Sequence, residues 1–210
     1  MLFRSLLGSG YLVRGANQNN IRGWIEVDGA HDYPESNTLE RQMLIDTGSS
    51  EIVKGHNVSQ WTTIVNYCDI HAANVSLDID LTMDDYASQA ENYVNINHTT
   101  TAVNYFSPSS PLSFGANLYF LNYTAAGRAF LASLEPLSFT DQLYKITIPS
   151  LLIWGQYDFT VPAASGYSAL RNLGSSYKHL VLMPQSGHVP MDGNTALFAQ
   201  TVLQFVSAVK

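Results

Sequence analysis

Residues 148–162 read IPSLLIWGQYDFTVP, and Leu151 to Trp154 form an unbroken apolar run that stops at Gly155. A run of this length, ended by a glycine, is how a parallel strand buried on both faces reads. The spacing predicts a strand over 150–154. Three positions after the glycine comes a carboxylate, Asp158. Pro162 sits where a first helical turn tolerates proline, and a helix is expected to run to Leu173, with Gly174 as its stop. KHLVLM, 178–183, is a second strand, followed by PQSGHVP. Asn194 or Thr195 then caps a last helix whose Leu197, Phe198, Val202, Phe205, Val206 and Val209 lie on one face. Strand, helix, strand, helix implies parallel strands joined by crossovers.

Upstream, IRGWIEV at 21–27 is a short β-rich run closed by Asp28-Gly29, which adds a third strand. From Asp32 to about Leu143 the apolar pattern is helical. Asn37 with Glu40 predicts a capping box for a helix through Ile52, and Asn57 with Gln60 predicts another. In the latter, Trp61, Ile64, Val65 and Cys68 share a face. Thr82 with Asp85 opens a third helix to about Asn95. SPSSPLSFG at 107–115 is a loop by its prolines and serines, and a fourth helix covers 125–134.

Ligands of open parallel sheets bind beyond the carboxyl ends of the strands. Asp158 follows one such end and His188 follows the next. Neighbouring strands would set the two side by side, the carboxylate holding the imidazole Nδ1–H and leaving the other nitrogen as a general base. Asp28 ends the preceding strand on the same rim and is an alternative acid. His31 lies just beyond it, a candidate for lining the substrate pocket. His56, His71, His98 and His179 fall in no metal-ligand spacing, so neither metal nor cofactor is expected.

Composition narrows the partners. The 210 residues carry a net charge of −7 with no basic cluster, which argues against nucleic acid. No apolar run reaches the length of a membrane span. The opening MLFRSLLGSGYLV makes a poor signal peptide, since Gly8 and Gly10 interrupt it. Cys68 is the single cysteine, so no internal disulfide forms and a reducing, cytoplasmic setting is favoured. The acidic excess itself says little about substrate.

IPSLLIWGQYDFTVP with SGHVPM, in the order acid then histidine, resembles the C-terminal third of an α/β-hydrolase. IRGWIEVDGAH resembles the sixth strand of that fold, and LLGSGYLV the helix that precedes it. The resemblance implies a partial α/β-hydrolase fold: the last three parallel strands with flanking helices, plus a mostly helical cap. Residues 1–31 and 146–210 would form the core and 32–145 the cap. The cap entry WIEVDGAHDYP and the Tyr- and Trp-rich helices resemble those of prolyl-iminopeptidase-like relatives.

The resemblance further implies a serine-type hydrolase of ester, amide or peptide bonds in a small-molecule substrate, its expected partner, with Asp158 orienting His188. Its serine belongs at a G-x-S-x-G elbow upstream of both. No serine here has glycine at both −2 and +2: Ser9 is flanked by Leu7 and Tyr11, Ser50 by Gly48 and Ile52, Ser113 by Pro111 and Gly115. No nucleophile is therefore expected in this chain, and truncation is the expected reason. Two alternatives stand beside it: a dehalogenase-type relative with an aspartate nucleophile, and a non-catalytic binding protein on a degenerate hydrolase scaffold.

Overall fold

The computed structural model describes residues 6–14, 18–94 and 125–209. Three strands, β1 (Trp24–Val27), β2 (Ser150–Gly155) and β3 (Lys178–Met183), form one parallel sheet in the order β1-β2-β3. Trp24 pairs with Ser150 and Val27 with Ile153, while Ser150 pairs with Lys178 and Gly155 with Met183. All six residues of β2 are buried, as its central place requires.

The strand's pleat divides its side chains between two layers. Leu152 and Trp154 pack with Leu12 and Val13 of α1 (Leu6–Val13) and with Ala169 of α6 (Ala163–Asn172). Leu151 and Ile153 face the other way, against Met183 and Phe205 of α8 (Thr195–Ala208), which follows the short α7 (Pro190–Gly193). Each large apolar side chain so buried contributes about 1.5–3 kcal/mol before conformational entropy is set against it. Only part of the face expected on α8 is used: Phe198, Val202, Phe205 and Val209 pack, whereas Leu197 and Val206 stay exposed. A three-stranded sheet is too narrow to cover the outer rows of that helix.

Between β1 and β2 lies a helical block with α2 (Tyr33–Lys54), α3 (Val58–Ile70), α4 (Leu77–Glu91) and α5 (Ala125–Leu134). It has its own core of Leu44, Trp61, Ile64, Cys68, Met83 and Ala87, joined from the sheet side by Phe159. Its start is earlier than the Asn37–Glu40 capping box predicts. Asp32 is the N-cap, accepting the Glu35 N–H at 2.8 Å, and Pro34 takes a first-turn position where its missing N–H costs nothing. Asn37 instead donates to Asn74 and Glu135 from inside the helix.

The third helix likewise begins before Thr82, because Ser76 caps it by accepting the Ile79 N–H, and Thr82 bonds back to the Asp78 carbonyl. Asn57 holds its N-cap place at φ 44 without a side-chain cap bond. The loop expected at 107–115 lies outside the described residues.

The chain enters and leaves this block through one neck. Phe139 N–H donates to the His31 carbonyl at 2.7 Å, Tyr33 N–H to that of Leu137 at 3.1 Å, and Asp32 pairs with Ser138 between them. No helix among the described residues is long and apolar enough to cross a membrane.

Candidate active site

β1 and β2 end on the same rim, and each is followed by a buried aspartate. Two residues separate Gly155 from Asp158, enough for the chain to turn back along the rim. Beyond β3, Pro184 to Gly187 lead to His188. The two loops are stitched together: Gln156 N–H donates to the Met183 carbonyl at 3.0 Å and Tyr157 N–H to that of Ser186 at 2.8 Å. Their approach needs glycine, since a Cβ on Gly155 would fall 2.0 Å from the Gly187 carbonyl oxygen.

This brings His188 Nδ1 to 3.0 Å from Asp158 Oδ2. The other Asp158 oxygen accepts the Val161 N–H at 2.8 Å, which fixes the carboxylate's plane. Asp158 is fully buried, while the His188 side chain keeps 24% of its surface exposed. The acid is held inside and the imidazole looks outward. That is the disposition a carboxylate-oriented general base requires.

Asp28 is present on the rim but differently employed. Its Oδ1 accepts the Gly155 N–H at 3.0 Å and its Oδ2 the Val189 N–H at 2.9 Å. Burial, and then the charge of Asp158, push its carboxyl well above the usual range, with His188 and the two N–H groups opposing. Val189, a β-branched residue, sits at φ 68, and Asp28 itself at φ 46. Such conformations carry strain and persist only where the surroundings fix them. Here the Asp28–Val189 bond holds the turn that presents His188.

Asp28, Asp158 and His188 bring ligand-type atoms within 4.8 Å of one another. Each of the four carboxylate oxygens already accepts a hydrogen bond, so the cluster reads as a hydrogen-bonded network.

His31 does not reach the rim. It is 2% exposed, with Nε2 3.0 Å from Glu26 Oε2 and its ring between those of Trp24 and Trp154. At that distance the two groups form an ion pair only when the imidazole is protonated. Burial raises the Glu26 carboxyl and His31 opposes it. Cys68 lies in the core of the helical block, where burial pushes its thiol up to about 11. Ser9 is buried within α1.

One residue at the site has no signature in the sequence. Glu91, the last residue of α4, accepts the backbone N–H of His188 on Oε1 at 2.7 Å. Its partner is a peptide group 97 positions away, which no local pattern can reveal.

No protein-family profile matches the chain, and neither does any curated protein. Solved structures do resemble it. VinJ superposes with a TM-score of 0.57 at 13% identity over 98% of this chain and 63% of its own. A membrane phospholipase A described as a novel bacterial virulence factor gives 0.52 at 18%, over 98% and 54%. MGS-M2, an alpha/beta hydrolase enzyme from a Medee basin deep-sea metagenome library, gives 0.50 at 15%, over 97% and 62%. The chain thus spans between about half and two thirds of these proteins' length. Three parallel strands with flanking helices, matched in this way, are part of the α/β-hydrolase fold.

Proposed function

We propose that this chain is the acid–base portion of a serine-type hydrolase, with Asp158 orienting His188 and the helical block acting as its cap over 32–145. The observation that carries the reading is the 3.0 Å contact from a fully buried Asp158 to a partly exposed His188. With Nδ1–H donated to the carboxylate, Nε2 is left as the base. It removes the proton of a nucleophile's hydroxyl as that oxygen attacks the acyl carbon. It then returns the proton to the leaving group, and the Asp158 carboxylate stabilises the imidazolium between the two steps. Asp28 has both oxygens engaged by backbone N–H groups, which leaves the role of acid to Asp158.

The nucleophile is proposed to come from outside these residues, because no G-x-S-x-G occurs among them. The substrate is proposed to be a small molecule with an ester, amide or peptide bond, in keeping with neighbours named as a phospholipase and a hydrolase. The test compares p-nitrophenyl acetate turnover by the 210-residue chain and by the protein extended upstream in its reading frame. The chain alone should be no faster than free imidazole, and the extended protein should lose turnover with His188→Ala. Hydrolysis by the chain alone that depends on His188 would overturn the missing nucleophile. An extended protein indifferent to His188→Ala would overturn the catalytic pair.

A further inference from the structure

His188 stands beside a turn that its own residues disfavour. Val189 lies at φ 68 and ψ 60, in the left-handed region. It is β-branched and it precedes Pro190, and each of these features favours extended backbone at that position. The conformation is therefore imposed from outside the turn. The bond that reaches it runs from the Val189 N–H to Asp28 Oδ2, at 2.9 Å.

The other oxygen of that carboxylate gives the bond its reference. Asp28 Oδ1 accepts the Gly155 N–H at 3.0 Å, and Gly155 closes β2 just ahead of the turn to Asp158. One buried carboxylate thus holds a peptide group of the segment that carries the acid and one of the segment that carries the histidine. Before His188 the two loops are already joined, by the Tyr157 N–H and the Ser186 carbonyl. Asp28 supplies the hold after it. Pro190 is buried, so a change of backbone at 189 is passed back along the chain to Gly187 and His188.

We propose that Asp28 is a positioning residue that keeps Val189 left-handed and so sets the His188 imidazole against Asp158. Without Asp28, residue 189 returns to the extended backbone that a valine before proline prefers, and the ring leaves Asp158 Oδ2. The need for Asp28 then depends on the side chain at 189. Glycine adopts positive φ without the clash of a Cβ, so Val189→Gly should present His188 whether or not Asp28 is intact. Asp28 also lies close enough to act on the ring by charge, since the ligand-type atoms of Asp28, Asp158 and His188 are within 4.8 Å of one another. A charge effect is indifferent to residue 189, and a turn effect is not. This positioning role rests on the proposed acid–base reading only for its consequence in catalysis.

Two measurements on the 15N-labelled 210-residue chain test it without any turnover. In alkaline solution, with neutral imidazole, the ring 15N shifts of His188 should place its proton on Nδ1, donated to Asp158. Asp28→Gly removes both acceptors and keeps the freedom for positive φ at 28. It should move the tautomer toward Nε2–H by about fivefold or more, the scale of left-handed strain. Asp28→Gly combined with Val189→Gly should restore the Nδ1–H form. No shift with Asp28→Gly, or a shift that persists in the combined variant, overturns the assignment. Asp28→Asn keeps the shape of the side chain but has a single acceptor oxygen, so hydrogen exchange should speed by about tenfold or more at one at least of the Gly155 and Val189 amides. The Trp24 amide, held in the sheet by the Pro149 carbonyl, should not follow. Acceleration at neither amide, or equal acceleration at Trp24, overturns the hold itself. If both measurements come out as expected while the extended protein ignores His188→Ala, the positioning stands and only the catalytic reading falls.

Discussion

At the end of β1, Asp28 follows the last strand residue directly, and both its oxygens are taken by peptide N–H groups of the neighbouring loops. At the end of β2, Gln156 and Tyr157 intervene after Gly155, and Asp158 gives the backbone only one oxygen. The other is left for an imidazole. Both aspartates are buried on one rim, within reach of the same histidine. On the proposed function, which one orients the base is decided by how many acceptors the backbone leaves free, and that follows from two extra residues of turn.

On the proposed function, the comparison breaks most visibly by amide substitution in a protein that joins these residues to a nucleophile. Asp158→Asn should lower kcat by about 10⁴-fold, the scale of losing a triad carboxylate, because the asparagine favours the wrong imidazole tautomer. Asp28→Asn should cost under about 10²-fold, acting through the Val189 turn. Equal losses in steady-state kinetics would mean that the two strand ends do the same work.

A smaller effect sharpens the contrast from the side of stability. Of the two aspartates, Asp158 has the neighbour whose ring is buried in the core of the helical block, Phe159. Phe159→Ala should destabilise by about 3–5 kcal/mol in urea unfolding, as a fully buried phenylalanine does. A cost below about 1 kcal/mol would show that the anchor is not formed.

Smallest is the pH dependence. The Glu91 carboxyl is raised from 4.5 to about 7 in the folded chain, and Glu135 in the helical block is raised to about 7 as well, by burial first and then by the charge of Asp80. An acid raised on folding stabilises fully below its unfolded value, and that stability is lost as pH rises through the folded one. Stability should therefore fall between pH 4.5 and somewhat above 7, by roughly 1–3 kcal/mol for Glu91 after allowing for its partial exposure. Urea midpoints for Glu91→Gln should lose that part of the slope; an unchanged slope counts against the assignment.

What could be read from the sequence follows the range of the interactions. Leu151 to Trp154 are legible because burial on both faces leaves an apolar run and nothing else. Asp158 and His188 are legible because strand ends converge by topology, whatever the side chains between them. Asn37 and Glu40 satisfy the pattern of a capping box, yet Pro34 belongs to the first turn and moves the start to Asp32. His31 looks like a rim residue by position, but the pleat of β1 turns Glu26 inward and draws the histidine after it. Glu91 is beyond any local reading, for its partner is a peptide group far along the chain.

The neck formed by His31, Asp32 and Tyr33 against Leu137, Ser138 and Phe139 has a consequence for how such a chain can change. Its two strands are pinned side by side, so everything between them is a closed loop hung from one point of the sheet. The entropy of closing a loop grows only with the logarithm of its length, about 0.6 kcal/mol per doubling. Helices can be gained or lost between residues 33 and 137 at little cost to the sheet, provided that whatever replaces them still lowers an acceptor onto the His188 peptide group of the rim.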